Sequence, residues 1–147
     1  MPIDYRLSKV IIRYWRGIDQ LELDLRLGFP NVLIGSNNAG KTAALDAIAL
    51  VLASPAFGGQ WSPDEDDFYC DQHGRRSSEF IIQVLFEADD ETGYPAVRGV
   101  GKPISVRGVQ VRGTLKNGKA KHQRTLLDEK HEPILIAPRT ALSAEDK

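Results

Sequence analysis

Gly35, Gly40, Lys41 and Thr42 stand at the spacing G-x-x-x-x-G-K-[ST] within VLIGSNNAGKT, residues 32–42. A nucleoside triphosphate has to be gripped by backbone N–H groups that converge on its oxygens, and a side chain at a tight point blocks that approach. Gly35 and Gly40 remove the obstacle and admit backbone angles that other residues avoid. Ser36, Asn37, Asn38 and Ala39 complete the loop with small or polar side chains that leave its backbone accessible. Lys41 is the expected catalytic residue, a point charge directed at the β- and γ-phosphates. Thr42 offers a hydroxyl to a Mg2+ ion bridging those phosphates. A glycine-rich turn with an incidental lysine leaves this spacing unexplained.

Such a loop works only between a strand and a helix, and both are legible on either side of it. Asn31 to Ile34 is a short apolar run of the kind buried on both faces of a sheet. From about Gly40 to Ala53 the period lengthens: Leu45, Ile48, Ala49 and Leu52 recur at helical spacing, and no Gly or Pro intervenes until Pro55. That helix directs its positive end and its unpaired N–H groups at the phosphates.

Upstream, LSKVIIRY reads as a strand with Val10, Ile12 and Tyr14 on one face. In LELDLRL, Leu21, Leu23, Leu25 and Leu27 alternate with Glu22, Asp24 and Arg26, the pattern of a strand with one wet face. The two strands are expected to pair as a hairpin turned at Gly17. Downstream, SPDE (62–65) reads as a helix start, with Ser62 as cap, Pro63 in the first turn and Glu65 closing a capping box. EFIIQVLFE (79–87) is a strand, and 88–103, rich in Gly, Pro and Asp, is expected to be a mobile loop. VQVRGTLKNGKAKHQRTLL is a hairpin turned at Asn117-Gly118, and PILIA is a last strand.

The 147 residues, 41% hydrophobic and 27% charged, are enough for one ordinary globular domain with a real core. The single cysteine, Cys70, excludes an internal disulfide and fits a reducing cytoplasm. No apolar signal-peptide core opens the chain, and the apolar stretch from Ala43 to Ala53, broken by Asp46, is too short to span a membrane. His73, His122 and His131 are scattered without metal-ligand spacing, and Cys70 stands beside no recognisable base. Asp64 to Asp67 reads as a solvated helix start in preference to a cation site. Trp15 and Trp61 are left undecided between core and nucleotide.

The net charge of −1 conceals a split. Ten acidic residues fall between Asp64 and Glu91, against Arg75 and Arg76 alone. Between Thr92 and Leu127 there are none, while Arg98, Lys102, Arg107, Arg112, Lys116, Lys119, Lys121 and Arg124 are basic. Two readings stand: a polyanion-binding face, or two surface elements of opposite sign set against each other. The second is favoured, because no aromatic residues interleave the basic stretch to stack on single strands.

Where KVIIRYWRGIDQLELDL runs into NVLIGSNNAGKT and ALDAIALVL, the chain resembles the amino-terminal half of ABC-type ATPases of the SMC and RecF group. Within that group it looks most like the overcoming-lysogenization-defect (OLD) family, in Asn38, in the acidic DEDDF and in the Pro-Arg ending of ILIAPR. The phosphate loop is the specific match. The resemblance implies an α/β P-loop NTPase fold, an ABC/SMC-like head with a mixed sheet and an antiparallel β subdomain. It implies ATP and Mg2+ as cofactors, Arg16 as a further nucleotide contact, a homodimer or second ATPase head as partner, DNA as a target and no membrane. The implied role is ATP-coupled head engagement on DNA, in phage defence or DNA repair.

The pattern also departs from that group. Hydrolysis of this type needs an Asp-Glu pair ending an apolar strand and a Ser-Gly-Gly signature loop. ALSAED lacks the glycines, and Glu87 in IIQVLFEADDE and Gln83 fall where a side sheet is expected. Residues 1–147 therefore read as the front portion of a longer ATPase domain, without its nuclease module, expected to bind nucleotide and to hydrolyse it poorly alone. Two rivals remain open: a self-contained small P-loop phosphotransferase or NTPase, and a binding module whose phosphate loop is vestigial.

Overall fold

The structure is a computed structural model that describes residues 5–25, 40–52, 62–90, 93–98 and 102–134. In chain order the elements are β1 (Tyr5–Trp15), β2 (Ile18–Asp24), helix α1 (Lys41–Leu52), β3 (Glu79–Ala88), β4 (Ala96–Arg98), β5 (Pro103–Ser105), β6 (Gly108–Lys116) and β7 (Lys119–Leu127), with a 3-10 turn at Glu65–Asp67. Five strands form one sheet in the order β2-β1-β3-β6-β7, antiparallel throughout, and β4 and β5 pair separately.

The register assembles the core. Val10 stands opposite Leu23 and Val84, and Ile12 opposite Leu21 and Ile82; Ile82 and Val84 in turn face Val111 and Val109. Residues directly opposite in a ladder share a face, so period-two alternation in four strands converges on a single apolar surface. Helix α1 covers it through Ala44, Ala47 and Val51, all buried. Its alanines let the helix backbone come close to the sheet. Each large side chain buried there is worth about 1.5–3 kcal/mol.

Two local departures from regularity complete this core. Phe80 lies opposite Gly113, where a Cβ would come within 2.1 Å of the Phe80 ring, so only glycine admits the phenyl group. On β1, strict alternation from Ile12 would send Trp15 to the outer face. Tyr14 interrupts it with a φ of 59°, in the left-handed region. Trp15 then turns inward, 1% exposed, and meets Phe80 edge-on at 4.8 Å. The tryptophan is a core residue; Trp61 lies outside the described residues.

Both expected hairpins are present. Trp15 pairs with Ile18 across Arg16-Gly17, and Lys116 with Lys119 across Asn117-Gly118, whose φ angles of 54° and 75° give the right-twisted tight turn. Three expectations are corrected. The buried face of α1 is Ala44, Ala47 and Val51, not the stripe through Leu45, Ile48, Ala49 and Leu52; Leu45 and Leu52 are 55% and 44% exposed. The helix carries apolar residues on more than one side, and the sheet takes the side whose small residues allow the closest approach.

The helix expected to start at Ser62 is only the 3-10 turn, capped by Asp64. The Asp64 carboxylate accepts from the Asp66 N–H at 2.8 Å, and the Asp67 carboxylate accepts from the Asp64 N–H at 3.1 Å. Within 88–103, the described residues include β4, which pairs with β5. The expected strand at 31–34, Leu27 and all of PILIA beyond Ile134 lie outside the described residues.

Candidate functional site

Helix α1 begins at Lys41, and the Gly40 carbonyl accepts its first helical bond from the Ala44 N–H at 2.8 Å. Gly40 is thus the cap residue, and glycine is needed there twice over. Its φ is 83°, and Ile18 Cγ1 would lie 3.2 Å from any Cβ. The N–H groups of Lys41, Thr42 and Ala43 precede the first intrahelical acceptor and point out along the axis at the positive end of the helix. Lys41 is half-buried and Thr42 exposed, and the first turn holds no acidic side chain to compete for an incoming anion.

The turn between β1 and β2 pins this helix end in place. Trp15 Nε1 donates to the Ala43 carbonyl at 2.9 Å. Arg16, at φ 52°, lays its guanidinium 4.5 Å above the Trp15 ring. Its Nη1 meets Asp46 of α1 at 2.6 Å, and its Nε meets Asp67 at 3.0 Å. Its backbone N–H donates to the Asp67 carbonyl at 3.0 Å. Asp67 is only 8% exposed, the one buried charged residue among the described residues. Burial pulls the Arg16 guanidinium toward deprotonation, but hydrogen bonds to Asp67 and Asp46 outweigh it and hold it above its ordinary value. Stability carried by a raised cation is fully present below the ordinary value and is lost only as pH climbs through the raised one, so this clamp persists at every physiological pH.

Of the residues expected at the site, Gly40, Lys41 and Thr42 share the first turn of α1, and Arg16 reaches that helix through Asp46. Gly35, Ser36, Asn37, Asn38 and Ala39 lie outside the described residues. The sequence reading missed the clamp partners. Asp46 drew notice only as a break in an apolar run, and Asp67, read with its neighbours as solvated, is an ion-pair partner with its side chain inside.

Among the described residues no group of three His, Cys, Asp or Glu side chains could hold a metal on its own. The exposed Thr42 hydroxyl is a hard oxygen donor of the type Mg2+ takes, and the remaining ligands would be phosphate oxygens and water. Gln83 is occupied on the side sheet, donating from Nε2 to Gln110 Oε1 at 2.7 Å, and Glu87 is an exposed residue of β3.

Comparison with known proteins bears on the family and the fold. The AAA ATPase domain model matches residues 6–145. The DNA replication and repair protein RecF of Proteus mirabilis is 32% identical over 141 residues, covering 83% of this chain and 38% of that protein. RecF of Vibrio campbellii is 39% identical over 83 residues, covering 53% and 23%. The chain thus spans about two fifths, or less, of these relatives. Among solved structures, an SMC ATPase studied for ATP-driven dimerization and DNA-stimulated activation superposes with a TM-score of 0.52 at 18% identity, covering 80% of this chain and 68% of that one. The fold is therefore that of a P-loop NTPase of SMC/RecF type, and the chain belongs to the AAA ATPase domain family.

Proposed function

We propose that the chain binds Mg-ATP at the amino-terminal end of α1, as the ATP-binding region of an SMC/RecF-like ATPase that acts on DNA from the cytoplasm. In this reading the main-chain amides from Gly35 through Thr42 surround the phosphates, Lys41 neutralises the β- and γ-phosphates, and Thr42 contributes its hydroxyl to Mg2+. Arg16 adds a second cation, exchanging Asp46 for a phosphate oxygen. The finer kinship is with the OLD family, and the role is ATP-dependent engagement of a second head, in DNA repair or phage defence.

The observation that carries the reading is the left-handed Gly40 cap, with Lys41 and Thr42 in the turn that follows it on a helix end clamped by Trp15 and Arg16. The antiparallel sheet favours this reading over a small P-loop kinase, whose strands alternate with helices. Titration of fluorescently labelled ATP with Mg2+ against wild type and Lys41→Ala tests it. Loss of a charge-assisted bond to phosphate should weaken binding by about tenfold or more. Equal affinity of the two proteins would make the loop vestigial, and sustained turnover by the isolated chain would make it a self-contained enzyme.

A further inference from the structure

The β6–β7 hairpin carries the acid-free basic stretch, and its register sorts those charges by face. Val109, Val111 and Gly113 point to the core, so Arg112, Thr114 and Lys116 line the outer face of the sheet, away from α1. Thr114 stands opposite Lys121, and Lys116 opposite Lys119, across the Asn117-Gly118 turn. Lys116, Lys119 and Lys121 therefore share one exposed surface at the tip of the sheet. Directly opposed residues are about 5 Å apart, and alternate residues along a strand about 7 Å apart.

Elsewhere on the sheet three cations are neutralised, while Arg13 on β1 has no ion pair among the described residues. Arg6 meets Asp89 at 3.0 Å, Lys9 meets Glu22 at 2.8 Å and Asp24 at 3.5 Å, and Arg112 meets Glu79 at 2.6 Å. Among the described residues, no ion pair engages Lys116, Lys119 or Lys121. Opposed elements of unlike sign do not account for these three: Asp67, Glu79 and Asp89 of the acidic segment pair with Arg16, Arg112 and Arg6, and no carboxylate among the described residues pairs with the three lysines. Like charges directly opposite in a ladder are destabilising, and the Lys116–Lys119 pair closing this hairpin is such an arrangement. A polyanion laid across the tip relieves that repulsion.

We propose that the outer face of the β6–β7 hairpin binds the phosphate backbone of duplex DNA through Lys116, Lys119 and Lys121, without reading its sequence. From Gly108 to Leu127 there is no Phe, Tyr or Trp on which an unpaired base could stack, which sets a duplex above a single strand. Lysine on flexible stems delivers point charge and no base-edge pattern, so contacts stay on the backbone. The surface deepens the reading above, resting on its DNA component and not on its nucleotide component.

The test is anisotropy of a labelled duplex oligonucleotide titrated with the full chain over a series of salt concentrations. Each phosphate contact contributes about 0.9 to the slope of log affinity against log salt. The triple variant Lys116→Gln/Lys119→Gln/Lys121→Gln should bind more weakly and lose about 2.7 of that slope. The corresponding triple arginine variant should retain binding, and Lys130→Gln, in a separate turn, should leave it unchanged. Circular dichroism checks that each variant folds.

Wild-type binding with an unaltered slope in the glutamine variant overturns the surface assignment and leaves DNA as a target. Preference for a single strand overturns it as well. Aggregation of the glutamine variant with intact DNA binding would reassign the lysines to protection of the β7 edge, overturning the proposal. Failure of wild type to bind any duplex removes the DNA component along with the surface, while the labelled-ATP titration judges the nucleotide site independently.

Discussion

Arg16 concentrates several demands at one position: a left-handed backbone, a guanidinium shared between Asp46 and Asp67, and an indole beneath it. Replacing it with alanine strands the largely buried Asp67 carboxylate without its cation. The guanidinium is a third exposed, so the expected loss is about 1–3 kcal/mol, below that of a fully buried pair. Urea unfolding of Arg16→Ala, Asp67→Asn and the double variant should show the two losses overlapping by about 1 kcal/mol, since they remove one interaction. Strict additivity would mean that the pair contributes nothing beyond its separate packing. At this scale the sequence placed Gly40, Lys41 and Thr42 at a helix start, where the structure has them. It was silent on Asp67, because a run of four acids does not reveal which member folds inward. That choice depends on Arg16, 51 residues away along the chain.

Strand identity follows from short-range pattern, and the leucine alternation of β2 and the Asn-Gly turn of β6–β7 both appear in the fold as read. What the pattern could not supply is which of two apolar sides of a helix meets the sheet. On α1 the sheet takes Ala44, Ala47 and Val51, because approach distance outweighs side-chain size. Local pattern also gave no warning that Tyr14 would break parity to send Trp15 inward. Gly113 is the sharpest test of this packing. Gly113→Ala drives a methyl group into the Phe80 ring and should cost about 1–3 kcal/mol. Adding Phe80→Leu should recover part of that loss in thermal unfolding, since the clash goes with the ring. An alanine variant as stable as wild type would show that Phe80 does not rest against Gly113.

At the scale of the fold, among the described residues, the five-stranded sheet and α1 set the first turn of α1 beside the β1–β2 hairpin and the basic β6–β7 tip at the far edge of the same sheet. The proposed nucleotide site lies on the helix side and the proposed DNA surface on the opposite side. The charge split between 64–91 and 92–127 was visible in the sequence, but its meaning was not. Only the register shows that Glu79 and Asp89 are spent on other cations, leaving three lysines aligned. The central claim, that backbone amides at the start of α1 hold phosphate, is open to one direct measurement. In a two-dimensional amide NMR spectrum of the labelled protein, Mg-ATP should shift the resonances of Gly40, Lys41 and Thr42, while Mg2+ with adenosine leaves them in place. Shifts elsewhere with those three unmoved, or equal shifts with adenosine, would contradict it.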